Sequence, residues 1–245
     1  MIEARARGFG TIAGEYATVR VPMRTAALEW LVASPRQSAV EIGAGTGLFT
    51  RLLATVADSV LAVEPDERMR AEFLVRDPRV RVVDGTAEDI PAADDSVDAV
   101  YSVDSWHWFD PDRTFAEIAR VLRPGGSLAV AWNMHDRSVR WEAEFFAILD
   151  DLPAGFRRPG WFTTEGRAAF TPQERHVVRW NEPMNHERLL SMLSSYSPVL
   201  AMGQAERTEY LRRQRDYLAR CAPEASDGTV DTAFTTVCWR TRYLP

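Results

Sequence analysis

Cysteine is nearly missing from these 245 residues. Cys221 and Cys238 form no C-x-x-C pair and, with His107, His135, His176 and His186, make no metal-ligand spacing. A disulfide scaffold and a structural metal are both excluded, so the expectation is reduced thiols in a cytoplasm, with no metal. No apolar run reaches the roughly 18 residues of a membrane span, and Met1-Ile2-Glu3-Ala4-Arg5-Ala6-Arg7 lacks a signal-peptide core. There is no block of basic residues to set against a net charge of −6, which disfavours nucleic acid and anionic membranes as partners. No repeat, no splitting linker and no oligomerisation signal is evident.

What the chain does have is a 46% hydrophobic content and 8 Trp, enough for one domain with a cap. Its organising stretch is Ala39-Val40-Glu41-Ile42-Gly43-Ala44-Gly45-Thr46-Gly47-Leu48-Phe49-Thr50. An apolar run, glycines at alternate positions and a helical pattern read as strand, tight turn and helix N-terminus. Such a turn lets a ligand approach the backbone and offers it N–H groups. Leu48 occupies the place of the last glycine of a dinucleotide fingerprint, and no Walker lysine follows. Glu64 closes the next apolar run, Val60-Leu61-Ala62-Val63, at the spacing at which an acid accepts both hydroxyls of a ribose. A nucleoside-containing ligand without a pyrophosphate follows.

Strands and helices then alternate. Helices are expected after Pro22, over Leu48–Ala57, Asp66–Arg76 and Asp112–Leu122, and strands over Val60–Val63, Val80–Val83, Val97–Val103 and Ser127–Trp132. Short connections of this kind give right-handed βαβ units and a mostly parallel α/β sheet with helices on both faces, whose ligands sit beyond the strands' carboxyl ends. Gly43, Glu64, Thr86, Ser102 and Asn133 all fall there. Further on, a helix is expected over Val139–Asp150, a strand near His176–Trp180, helices over His186–Ser195 and Glu206–Arg220, and an edge strand over Thr232–Arg242. Residues 1–20, with Phe9, Tyr16 and Arg20, read either as a lid or as a loose arm. Residues 136–169, with Phe156, Trp161 and Phe162, have the length of a cap insertion.

Five motifs, in order, carry a resemblance: Val40-Glu41-Ile42-Gly43-Ala44-Gly45-Thr46-Gly47; Ala62-Val63-Glu64-Pro65-Asp66; Gly85-Thr86-Ala87-Glu88-Asp89-Ile90-Pro91; Val97-Asp98-Ala99-Val100-Tyr101-Ser102; and Val121-Leu122-Arg123-Pro124-Gly125-Gly126. Over about the first 135 residues the chain resembles the class I S-adenosylmethionine-dependent methyltransferases. Ser105-Trp106-His107-Trp108-Phe109-Asp110 and Ala131-Trp132-Asn133 are most similar to the small-molecule branch with trans-aconitate methyltransferase-like proteins. The resemblance implies a Rossmann-like seven-stranded sheet with an antiparallel last strand, and S-adenosylmethionine as cofactor. It also implies a cofactor site of Tyr16, Arg20, Glu41, Gly43, Ala44, Gly45, Gly47, Glu64, Pro65, Thr86, Ala87, Glu88 and Ser102. Glu41 would reach the ammonium, Glu64 the ribose and Ala87 the adenine. Many relatives carry an acid where Thr86 stands, so the adenine amine would turn to Glu88 or Asp89.

His107 and Asp104 are the candidate bases; each also has a plain reading, as a packed imidazole and as a turn residue. A carboxylate acceptor would need no base and would call for an arginine clamp, for which Arg20 and Arg137 are candidates. The expected activity is methyl transfer to O, N or C of a small molecule. A non-methylating catalyst such as a cyclase or decarboxylase on the same scaffold, or a binding protein without turnover, are the other classes.

Overall fold

The computed structural model describes residues 10, 12–34, 37–150 and 161–244; Phe9 and Phe156 lie outside them. In chain order the elements are α1 (Ala13–Val19), α2 (Thr25–Leu31), β1 (Ser38–Ile42), α3 (Leu48–Leu53), β2 (Ser59–Val63), α4 (Glu67–Arg76), β3 (Arg81–Val83), β4 (Val97–Val103), α5 (Pro111–Val121) and β5 (Leu122–His135). Then come α6 (Arg140–Phe145), β6 (Glu174–Met184), α7 (His186–Ser194), α8 (Ser197–Leu200), α9 (Gln204–Cys221) and β7 (Val230–Arg242). The strands form one seven-stranded sheet in the order β3-β2-β1-β4-β5-β7-β6. The chain divides into two compact units, Pro22–Asn133 with Arg157–Val178 and Thr236–Pro245, and Met1–Val21 with Met134–Phe156 and Arg179–Thr235.

In the larger unit β1 pairs in parallel with β2, Val40 opposite Leu61, and with β4, Val40 opposite Val100. β4 pairs in parallel with β5, Val100 opposite Leu128. Val40, Ile42, Val100 and Leu128 are fully buried, as a sheet covered on both faces requires. Local chemistry starts the helices as their sequences suggest. Asp66 caps α4 by accepting from Arg68 N at 2.9 Å, and Asp110 caps α5 by accepting from Asp112 N at 2.9 Å, with Pro111 in the first turn. The buried face of α5 is Thr114, Phe115, Ile118 and Val121, a helical spacing.

The smaller unit has its own apolar centre, in which Phe145, Phe146, Leu189, Leu193, Val199, Leu218 and Phe234 are buried together.

Several expectations need correction. β7 is not an edge strand: it lies between β5 and β6, and β6 is the edge. The reason is visible in composition, since β6 carries Pro183, which an interior strand tolerates poorly, and is largely exposed, whereas Thr232, Phe234, Thr236 and Cys238 of β7 are buried. β7 runs antiparallel to β5, with Asp136 N bonded to Ala233 O and Tyr243 N to Gly126 O. β5 begins earlier than expected, because the register shifts between Val97 and Ala99 and the Pro124-Gly125-Gly126 segment pairs with Tyr243. α3 ends at Leu53 rather than Ala57, and the helix expected over Val139–Asp150 breaks after Phe145 into a 3₁₀ turn, Ala147–Leu149.

Candidate functional site

β1 runs into the glycine turn at its carboxyl end. Gly43 has φ +69° and Gly47 φ +79°, a region closed to most side chains. Space is equally short: a Cβ on Gly43 would stand 2.7 Å from Ser105 Cβ, and one on Gly47 2.4 Å from the Phe73 ring. These positions are set by neighbours as much as by any ligand.

The turn's N–H groups are differently employed than the sequence implies. Gly43 N and Ala44 N donate to Val63 O at 2.9 and 3.1 Å, Gly47 N to Ala44 O at 2.9 Å, and Gly45 N to Glu64 Oε2 at 2.9 Å. Those four amides are satisfied within the protein, so the turn is a surface for close approach rather than a nest for an anion. The hydroxyl of Thr46, by contrast, is buried with no partner. An orphaned donor beside Gly45, where a Cβ would meet open space, suits a polar ligand lying against the turn.

Glu64 follows β2. Its Oε1 accepts from Asp66 N at 2.9 Å and its Oε2 from Gly45 N, which fixes the carboxylate at both ends and leaves each oxygen a second lone pair. Pro65 stands between Glu64 and Asp66 and supplies no N–H of its own. Burial pushes the Glu64 pKa above its usual range, and the two backbone donors work against that shift. Glu41, on β1, is deeper. Burial pushes its pKa up to about 8, the Thr50 hydroxyl donating to Oε2 opposes the rise, the nearby Glu64 charge adds to it and Arg51 offsets it.

Thr86 and Asp89 face one another across a short bridge, their N–H and C=O groups at 3.4 Å, with Ala87 buried between them. Glu88 commits Oε1 to Asp110 N at 2.8 Å, while Asp89 is exposed. After β4, Ser102 is fully buried and shares a hydrogen with Ser105 at 2.8 Å; Ser105 Oγ also donates to Ile42 O at 3.1 Å. The segment carrying His107 is thereby bonded and packed against the glycine turn.

Asp104 adopts φ +55°, and its carboxylate accepts from Asn133 N at 2.9 Å while its own N–H donates to Ala131 O. Its left-handed backbone turns the chain into a single 3₁₀ turn, Trp106–Trp108. Trp106 is buried edge-on against Phe109, Phe115 and Phe162 at 5.1–6.0 Å. His107 is half-buried, and its Nδ1 lies 3.1 Å from the indole nitrogen of Trp132.

Tyr16 and Arg20 belong to the smaller unit. There the Arg20 guanidinium lies over the rings of Tyr196, at 3.9 Å, and Tyr16, at 4.8 Å, and Arg20 Nε donates to Ser195 Oγ at 3.1 Å. Arg137 is also in that unit, where it donates to Phe146 O at 2.9 Å and Ala143 O at 3.3 Å and pairs with Asp150, so it closes the end of α6. Sequence reasoning missed Thr46, Thr50, Ser105 and Trp132. A threonine inside an apolar helix one turn beyond the glycines, as Thr50 is, was the readable signal; Trp132 stood in the string Ala131-Trp132-Asn133, which did not show its partner.

The sheet order and the parallel pairing of β2, β1, β4 and β5 define a Rossmann-like fold, with the glycine turn and the anchored acid at the carboxyl ends of β1 and β2. A methyltransferase domain model matches residues 40–130, which spans the turn, Glu64 and the 86–110 segment. An uncharacterized methyltransferase of Mycobacterium tuberculosis is 34% identical over 95% of this chain and 94% of its own length. A malonyl-[acyl-carrier protein] O-methyltransferase of Pectobacterium atrosepticum is 28% identical over 92% of this chain and 91% of its own. A solved structure titled as a candidate type II methyltransferase from Anaeromyxobacter dehalogenans superposes with TM-score 0.64 and 26% identity, covering 92% of this chain and 99% of that one. The chain belongs to the class I S-adenosylmethionine-dependent methyltransferases. It is an enzyme of that family, and S-adenosylmethionine is its cofactor.

Proposed function

We propose that the enzyme transfers the methyl group to a small-molecule acceptor. The observation that supports a working cofactor site is Glu64, buried yet held by two backbone donors beside the glycine turn, the arrangement a ribose diol needs. In this reading Glu64 accepts the ribose hydroxyls and Gly43, Ala44, Gly45 and Gly47 let the methionine part lie against the backbone. Thr46 donates to it, and Glu41 faces the ammonium. Ala87 and Thr86 border the adenine with Glu88, Pro65 fixes the approach to Asp66, and Ser102 acts through Ser105. The bound cofactor supplies an already activated methyl on sulfur, so the protein's work is to align the acceptor and exclude water. His107 and Asp104 stand on the acceptor side, Asp104 as the brace of the segment.

A small acceptor is favoured by the net charge of −6 with no basic block for a polyanion. The Pectobacterium relative, whose name specifies O-methyl transfer, makes oxygen the first acceptor atom to test. Calorimetry with S-adenosylmethionine is the direct check. We expect saturable binding that weakens about tenfold to a hundredfold in Glu64→Ala, from two lost charge-assisted hydrogen bonds. Absence of binding by the unmodified protein would sink the reading. Incubation with methyl-labelled cofactor and a metabolite-sized fraction should then place label in small molecules.

A further inference from the structure

His107 is the side chain that sequence offers as a base, and its hydrogen bond argues for a different role. The Trp132 side chain is 1% exposed, and its indole nitrogen lies 3.1 Å from His107 Nδ1. Indole N–H can only donate, so Nδ1 must supply a lone pair, and a neutral imidazole then carries its hydrogen on Nε2. The opposite tautomer would set N–H against N–H and leave a buried donor unsatisfied, a bias of about tenfold to a hundredfold toward Nε2–H. A base acting through Nε2 would need its lone pair where this bond places a hydrogen.

The surroundings hold that geometry. Residue 133, next to Trp132, is bonded through its N–H to Asp104, and its side-chain oxygen accepts from Thr236 Oγ1 at 2.7 Å. Two consecutive residues of β5 therefore grip the 104–107 segment, one at Asp104 and one at His107. On its other side the segment is tied to the glycine turn through Ser105 and Ile42. His107 also lies against Trp108, ring centroids 4.9 Å apart, which restrains the ring.

We propose that Trp132 is the positioning residue that holds His107 in its Nε2–H form, and that His107 serves the acceptor as a hydrogen-bond donor. This rests on the methyltransferase reading and narrows it. The acceptor presents an oxygen that arrives with no proton to lose. Its lone pair forms the O–CH3 bond while the S–CH3 pair stays on sulfur, so an anionic oxygen and a sulfonium become a neutral methyl product and a thioether, with no proton transferred. The Nε2–H orients that oxygen.

The test is long-range ¹H–¹⁵N correlation spectroscopy of the labelled full chain, with the His107 signals assigned through His107→Gln. Nδ1 is expected in the range of an unprotonated ring nitrogen and Nε2 in that of a protonated one. Trp132→Phe should move both toward the average of a tautomer mixture. Acetate is the probe for an accepting oxygen anion, with sodium chloride at equal ionic strength as control. It should displace the His107 Nε2 signals of the unmodified protein, with an apparent affinity about tenfold lower in Trp132→Phe. An unprotonated Nε2 in the unmodified protein overturns the proposal, and so does an acetate titration that leaves His107 unmoved. The tautomer in the unmodified protein decides the matter even if Trp132→Phe fails to fold. Calorimetry with S-adenosylmethionine on the same sample tests the underlying reading separately, since a chain that fails to bind cofactor can still report its tautomer.

Discussion

Replacing Glu41 by Gln should remove one component of the pH dependence of this protein's stability in the absence of cofactor. Glu41 is 2% exposed, and burial pushes its pKa from 4.5 to about 8. Between those values the folded chain holds a proton that the unfolded chain has released. The Glu41 contribution is therefore fully present below pH 4.5, is lost as pH rises, and levels off above about 8. At about 1.4 kcal/mol per pKa unit the full shift corresponds to roughly 5 kcal/mol, an upper bound that relaxation around the carboxylate reduces to about 2–4 kcal/mol. Glu64 and Glu142 are shifted in the same direction by burial, so the informative quantity is the difference between the two proteins. Urea denaturation at half-unit steps from pH 5 to 8.5 measures it. Glu41→Gln should lose less stability than the parent over that interval, and the gap should grow with pH. Parallel curves would refute the argument, because they would mean that Glu41 ionises in the fold as readily as in the open chain.

Three other outcomes follow from packing. Gly47→Ala places a Cβ 2.4 Å from the Phe73 ring at φ +79° and should cost about 2–4 kcal/mol in urea denaturation, from overpacking and left-handed strain together. Trp106→Ala empties the space among Phe109, Phe115 and Phe162 and should cost about 3–5 kcal/mol, with cofactor binding retained at temperatures where the variant is folded. Gly43→Ala forces Ser105 away and should weaken S-adenosylmethionine binding and shift the His107 NMR signals together; a change in one alone would contradict their packing.

Most of the sheet was legible because its strands are continuous apolar runs, and because Asp66, Pro111 and the glycines mark where helices and turns begin. The order of the last two strands was not. The alternation in Thr232–Arg242 reads as one exposed face, yet buried threonines can line an interior strand when their hydroxyls find partners, as Thr236 does at Asn133. Length of helix was misread where no stop is written: α3 has no glycine after Leu53 and tapers into turns in which Thr55 N donates to Leu52 O and Val56 N to Leu53 O. In the site, residue types were readable and their bonds were not. Nothing in the string Gly43-Ala44-Gly45-Thr46-Gly47 says that its amides are already taken, because Val63 and Glu64 lie some twenty positions away and only parallel pairing of β1 with β2 brings them there.

That pairing changes what the glycines are for. Were the turn an anion nest, its N–H groups would be the binding elements, and a sulfonium nucleoside, which brings a cation to this end, would be a poor ligand for it. With Gly43, Ala44 and Gly45 donating to Val63 O and Glu64, the partial positive charge of the turn is neutralised from within, by a carbonyl and by the Glu64 carboxyl group. The raised pKa of Glu41 comes first from burial, with the nearby Glu64 charge adding to it and the Thr50 hydroxyl and Arg51 opposing it, so a charge on Glu41 is costly to the protein alone. A positively charged ligand placed here as proposed would favour the ionised form of Glu41, whereas a neutral nucleoside would gain only the hydrogen bonds of Glu64. In the proposed site this favours the charged form of the cofactor over the thioether it becomes, and the same electrostatics that would hold the methyl donor would help release the product.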